Sequence, residues 1–201
     1  MPDTSQTQKE LLVQISASVL RLSEQALLNE KVAAFALTGL VMVATPTPND
    51  ASADERRVYS ASARSRLKAL LGADASEAVS YTRGVTIIVG LHDPALGLAV
   101  DIERLHPERS GIARRTLTDR EIVALGGDPV PWIDVLRLFC IKEAAYKVLR
   151  PQSQAGVGFR SLQVDSSGGL ADVRLVGREQ PCARVATAVG QQLMVAVAEL
   201  L

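Results

Sequence analysis

Between Gly97 and Glu103 the chain reads Gly-Leu-Ala-Val-Asp-Ile-Glu, and this run constrains the fold more than any other. Val100 and Ile102 alternate with Asp101 and Glu103 at the period of a β-strand, which puts the aliphatics on one face and both carboxylates on the other. One face must therefore find a core, and the other must meet surroundings that tolerate two charges. Read alone, an Asp-x-Glu pair suits a solvated strand end, because acids are mostly exposed. It equally offers oxygen ligands to a hard cation such as Mg²⁺, which takes carboxylates, waters and phosphate oxygens.

Periodicity assigns the remaining elements. Leu11, Leu12, Ile15, Val19, Leu22 and Ala26 recur at three- and four-residue intervals, which predicts an amphipathic helix over Gln8 to Lys31. Val32 to Ala44 reads as a buried strand or hairpin, ended by the loop Thr45-Pro-Thr-Pro-Asn-Asp50. Ala51 to Leu71 is a second helix stopped by Gly72, and it carries Arg56, Arg57, Arg64, Arg66 and Lys68. Val85 to Val89 and Leu98 to Glu103, separated by a turn around His92, predict an antiparallel pair. Thr118 and Glu121 form a capping-box start for a short helix ending at Gly126-Gly127. Pro131 opens a longer helix that stops before Pro151. Four strand-like segments follow, around 159–164, 171–176, 183–189 and 193–200. The order is that of an α+β fold, with room for two similar halves.

That longer helix holds the second chemical group. In Lys142-Glu143-Ala-Ala-Tyr-Lys147 the last Glu and Lys are four apart and share one face. An ordinary surface ion pair has the same spacing, so the pattern gains meaning only beside the strand carboxylates.

Composition excludes several partners. Over 201 residues the 22 basic and 22 acidic side chains cancel, so no bulk charge draws nucleic acid or an anionic membrane. Cys140 and Cys182 are the only cysteines, too few for a disulfide framework, and a reducing cytoplasm is expected. The N-terminus has no signal-peptide pattern, and Val32 to Ala44 is shorter than the roughly 20 residues a membrane span needs.

Taken together, Gly97 to Glu103, Leu117-Thr-Asp-Arg-Glu121, the run from Trp132 through Phe139-Cys-Ile-Lys-Glu-Ala-Ala-Tyr-Lys147, and Gly158-Phe-Arg160 resemble the 4'-phosphopantetheinyl transferases. The nearest likeness is to the single-chain, two-half type serving siderophore, peptide and polyketide synthases. It is carried by residues 95–164 and, less fully, by 54–72. The resemblance implies pseudo-duplicated α+β halves, here 1–94 and 95–201, with a cofactor cleft between them. It implies a Mg²⁺-dependent enzyme of the holo-acyl-carrier-protein synthase type, which moves the phosphopantetheine arm of coenzyme A to a serine of an acyl or peptidyl carrier protein. On the matching positions Asp101, Glu103 and Glu143 would hold Mg²⁺. Glu143 would also take the serine proton, and Lys147 would face the phosphates with Lys142 as an auxiliary contact. Arg64 would grip the nucleotide end of coenzyme A, with Arg66 as its competitor and Arg57 as a lesser candidate; a solvated basic face explains these arginines equally well.

One segment departs from the family. Where members carry Ser-His, this chain has Ser80-Tyr-Thr-Arg-Gly84, so Thr82 or Arg83 must serve coenzyme A phosphate. Arginine donates a fork of hydrogen bonds but cannot shuttle a proton. Arg104, Arg109, Arg114, Arg115 and Arg120, with Leu117, are the expected dock for an acidic carrier. Trp132 and Cys140 read as core. A monomer is expected, and the rival reading is a non-catalytic coenzyme A or carrier binder of the same fold.

Overall fold

The computed structural model describes residues 13–15, 40–93, 95–105, 111–149, 151–167 and 170–201. Ser52 opens helix α1 (Ala53–Leu71) with a complete capping box: its hydroxyl accepts from Glu55 N–H at 3.3 Å, and Glu55 Oε2 accepts from Ser52 N–H at 2.7 Å. Gly72 closes the helix at φ +94°, its N–H bonding Lys68 O. Ala63, Leu67 and Leu71 make the buried stripe of α1, which covers Val41 and Val43 of β2 (Val41–Pro46) and Ile88 of β4 (Val85–Leu91).

The first sheet runs β1 (Val13–Ile15), β2, β4, β3 (Ser76–Thr82). β1 pairs parallel with β2, while β2–β4 and β4–β3 are antiparallel. The second sheet is antiparallel, in the order β5 (Leu98–Arg104), β9 (Leu193–Leu200), β8 (Ala183–Val189), β7 (Leu170–Leu175), β6 (Leu162–Ser167). The two sheets pack face to face: Met42, Ile87 and Val89 of the first meet Val100, Ile102, Val195 and Val197 of the second. Helix α4 (Trp132–Val148) covers the far side, burying Leu136, Cys140, Ile141 and Ala144 with Ala99, Met194, Ala196 and Ala198. The layers are therefore helix, sheet, sheet, helix. Short helices α2 (Ile112–Thr116) and α3 (Asp119–Ala124) precede α4, and α5 (Pro151–Gln154) with a 3₁₀ turn at Phe159–Ser161 follows it.

Each sheet contains one three-strand run of like order, β2-β4-β3 in the first and β5-β9-β8 in the second. β4 lies between β2 and β3, and β9 lies between β5 and β8; each is antiparallel to both neighbours. In each sheet the first of these strands leads into the covering helix, α1 after β2 and α4 after β5.

Three expectations need correction. Val13–Ile15 is a strand rather than part of a helix; Val-Gln-Ile also alternates with period two, and edge pairing with β2 decides between the periods. The rest of the proposed helix over Gln8 to Lys31 lies outside the described residues. β4 and β5 are not a hairpin, because β4 already has β2 on one edge and β3 on the other, so β5 crosses to the second sheet. Phe159–Ser161 is a 3₁₀ turn before β6, where strand was expected from Phe159.

The close approach of α1 to β4 depends on Gly90. A Cβ there would lie 2.7 Å from Leu67 Cδ2, 2.9 Å from Leu71 Cδ1 and 3.0 Å from the Ser76 carbonyl oxygen. Gly90→Ala is expected to destabilise the protein by about 1–3 kcal/mol through overpacking, read as a lower urea midpoint at unchanged m-value.

Candidate active site

The burial of β5 follows its sequence alternation. Val100 and Ile102 face the first sheet, while Ala99 packs toward α4, so Asp101 and Glu103 share the α4 side. Asp101 is 4% exposed. Its Oδ1 accepts from Lys147 Nζ at 2.6 Å, and its Oδ2 is buried without a hydrogen-bond partner among the described residues. Lys147 stands one helical turn beyond Glu143. Burial raises the Glu143 pKa above the ordinary carboxylate value, the negative charge of Asp101 raises it further, and Lys147 opposes both. Cys140, one turn before Glu143, is buried against the same group. Desolvation pushes its thiol up, reinforced by Asp101 and Glu103.

β5 and α4 thus bring Asp101, Glu143 and Lys147 together, with Glu103 on the same side. All donors are carboxylate oxygens, one of them buried and unpaired, and two carboxylates repel each other. That chemistry fits a hard divalent cation. Among the described residues, however, no group of three His, Cys, Asp or Glu side chains is gathered closely enough to be a ligand cluster, and Lys147 occupies Asp101 Oδ1.

Lys142 is placed elsewhere. It has no exposed surface; Nζ donates to Thr116 O at 2.8 Å and to Glu121 Oε2 at 2.7 Å. Burial lowers its pKa, and the Glu121 carboxylate counters the shift. Glu121 caps α3 by accepting Thr118 N–H and also accepts Val164 N–H from β6. This buried pair ties α3, α4 and β6 together, and it occupies the Lys142 ammonium with Glu121 and the Thr116 carbonyl. Phe159 stacks edge-on against Phe139 of α4, and Arg160 pairs with Asp119.

The residues expected to hold coenzyme A divide into two regions. Thr82 and Arg83 end β3 and form its turn into β4. Arg104, at the end of β5, donates Nε–H to the Arg83 carbonyl at 2.6 Å. At the other end of β3, Ser76 Oγ donates to Leu96 O at 2.8 Å. These two bonds show that β3 and β5 run side by side and parallel, so the turn lies beside the carboxylate strand. Thr47 N–H bonds Gly84 O in the same turn, and Thr47 also lines an open groove of about 640 Å³ with Thr45, Pro48, Val58, Tyr59 and Ser62. Groove, turn and carboxylate strand are therefore contiguous. Arg57 directly precedes Val58 of that groove, is largely exposed, and pairs with Asp54. Arg64 instead pairs with Glu77, six residues and about 20 Å along β3 from Arg83. Arg66 is exposed on α1.

The expected carrier dock is changed as well. Leu117 is fully buried, and Arg104 is turned to the β3–β4 turn. Arg114, Arg115 and Arg120 remain exposed, and Arg109 lies outside the described residues. Sequence reasoning missed the role of Arg104 and the burial of Lys142. The apolar run Leu138 to Ile141 just before Lys142 was the available signal for the second.

Lys142→Met leaves Glu121 buried without its cation and is expected to destabilise by about 3–5 kcal/mol in urea denaturation. Lys142→Met with Glu121→Gln removes both charges and should recover much of that loss.

No helix among the described residues is long and apolar enough to cross a membrane. No curated protein matches the chain. The family model described as ACPS, 4'-phosphopantetheinyl transferase superfamily, matches residues 97–198, just over half of the chain and the span that holds Asp101, Glu103, Glu143 and Lys147. The chain belongs to the 4'-phosphopantetheinyl transferase superfamily, whose members are transferases that use coenzyme A and act on carrier proteins.

Proposed function

We propose that this protein is a Mg²⁺-dependent transferase of the holo-acyl-carrier-protein synthase type, converting apo acyl or peptidyl carrier proteins to their phosphopantetheine-bearing form, with secondary-metabolite synthases as its clients. The observation that carries the reading is the Asp101–Lys147 contact beside Glu143. The strand that bears Asp101 runs beside the β3–β4 turn with Arg83, and that turn adjoins the open groove lined by Thr45, Thr47 and Tyr59. Residues 1–94 and 95–201 are taken as pseudo-duplicated halves meeting at the cofactor cleft, which the matching three-strand runs support. One chain then supplies a whole site, so the protein acts as a monomer, in the cytoplasm.

Coenzyme A would place its nucleotide end in the groove near Arg57 and its phosphates against Thr82 and Arg83. Arg64 enters only if its pair with Glu77 opens. Asp101, Glu103 and Glu143 are the residues that would hold Mg²⁺. Bound there, Mg²⁺ would offset charge on the phosphate oxygens as the bond breaks. Glu143, whose pKa burial raises above its ordinary value, would accept the serine Oγ–H proton at its carboxylate. The serine oxygen bonds to the phosphorus that carries pantetheine, the bond from that phosphorus to the bridging oxygen breaks, and adenosine 3',5'-bisphosphate leaves. Lys147 lends positive charge to the leaving oxygen.

The test is intact-mass analysis of an apo carrier protein incubated with enzyme, coenzyme A and Mg²⁺. A gain of one phosphopantetheine arm, lost with EDTA, is the expected result; no gain across several carrier types despite coenzyme A binding would favour the non-catalytic binder. Glu143→Gln should lower turnover by about a hundredfold or more, with coenzyme A binding retained in calorimetry. Near-normal turnover would remove Glu143 from its role.

A further inference from the structure

We infer that Arg104 is a positioning residue for coenzyme A: it latches the β3–β4 turn, which bears Arg83, to the end of the carboxylate strand. This rests on the function proposed above and adds a residue to the same site.

Three observations converge on the latch. Arg104 directly follows Glu103 on β5, and its Nε–H donates to the Arg83 carbonyl at 2.6 Å. Its Nη2 lies 2.8 Å from the position a Cβ on Gly84 would take, and Asn49 Oδ1 lies 3.2 Å from that same position. Gly84 sits at φ +84°, a conformation that side-chain-bearing residues rarely adopt. The guanidinium therefore lies over the turn because residue 84 is glycine. No backbone ladder among the described residues joins β3 to β5, although they run side by side. Side-chain bonds across this seam include Arg104 to Arg83 O at one end and Ser76 to Leu96 O at the other. Of the two, only the Arg104 bond lies at the end where Thr82 and Arg83 stand beside the strand of Asp101 and Glu103. Backbone position at the turn decides where Arg83 presents its side chain, so Arg104 sets the spacing between phosphate grip and carboxylates.

The experiment measures the coenzyme A dissociation constant by calorimetry, together with KM and kcat, for Arg104→Ala, Gly84→Ala, the double variant and Ser76→Ala. Arg104→Ala should weaken coenzyme A binding about tenfold, the scale of one charge-assisted hydrogen bond, with the KM for carrier protein unchanged. Gly84→Ala keeps the arginine but displaces it from the turn, and should weaken binding similarly. The double variant should then be no weaker than the worse single variant, because both changes break one latch. Ser76→Ala loses a bond across the same seam and should leave coenzyme A affinity unaltered.

Equal affinity in Arg104→Ala and wild type would overturn the latch, as would equal weakening by Ser76→Ala, which would mean general stability. Additive losses in the double variant would show that Arg104 touches the ligand directly and would also overturn it. A wild type that binds no coenzyme A would instead overturn the proposed function itself.

Discussion

A carboxylate buried between strand and helix needs a cation, and the placement of Asp101 settles how β5 and α4 meet. Desolvating an unpaired charge is prohibitive, so the strand can present Asp101 inward only where Lys147 reaches it. Lys147 lies one turn beyond Glu143, so meeting that demand also fixes the rotation of α4 that brings Glu143 beside the strand acids. The other Asp101 oxygen meets no hydrogen-bond donor at bonding geometry among the described residues, although the Cys140 thiol lies beside the carboxylate. A charge held partly satisfied in a dry site is a poor structural device, whereas it suits a site that takes up a cation with its substrate.

The buried pair Lys142–Glu121 handles charge in the opposite way. Backbone groups surround it: Thr116 O accepts from Lys142, and Thr118 N–H and Val164 N–H donate to Glu121. Two adjacent residues on one helix therefore divide the work. Lys142 turns inward and locks the helix to α3 and β6, while Glu143, about 100° around, faces the acids of β5. The lock restricts rotation of α4, and rotation is the motion that would separate Glu143 and Lys147 from Asp101.

Local pattern explains why much of this was legible in the sequence. Period two placed Asp101 and Glu103 on one face of a strand, and the spacing from Glu143 to Lys147 placed both on one side of a helix. The capping boxes at Ser52 and Thr118 needed only a few consecutive residues to be read. What failed was long-range. The partners of β4 and β5 depend on which edges are already taken, and a periodic pattern carries no record of that. Val13–Ile15 fits both helical and strand periods, and its sheet neighbour chose. Lys142 was read as an auxiliary phosphate contact, because its ion partner lies 21 residues away on another helix and no local pattern points to it. Arg104 was grouped with neighbouring arginines because its bond to Arg83 O joins two sheets.

The exchange of histidine for arginine at the β3–β4 turn changes what each part of the proposed site must do. Arginine donates a fork of hydrogen bonds and is no proton shuttle, so in the proposed site Arg83 would hold phosphate without exchanging a proton with it. In the proposed function proton handling then falls to Glu143. In the proposed site grip and base are then separate, the first at the end of β3 and the second on α4. Their relative position is set across the seam between the two sheets. A site divided in this way would depend on what spans that seam. That is the physical reason for an arginine directly after the strand carboxylates to reach back to the turn, and for the residue beneath it to be glycine.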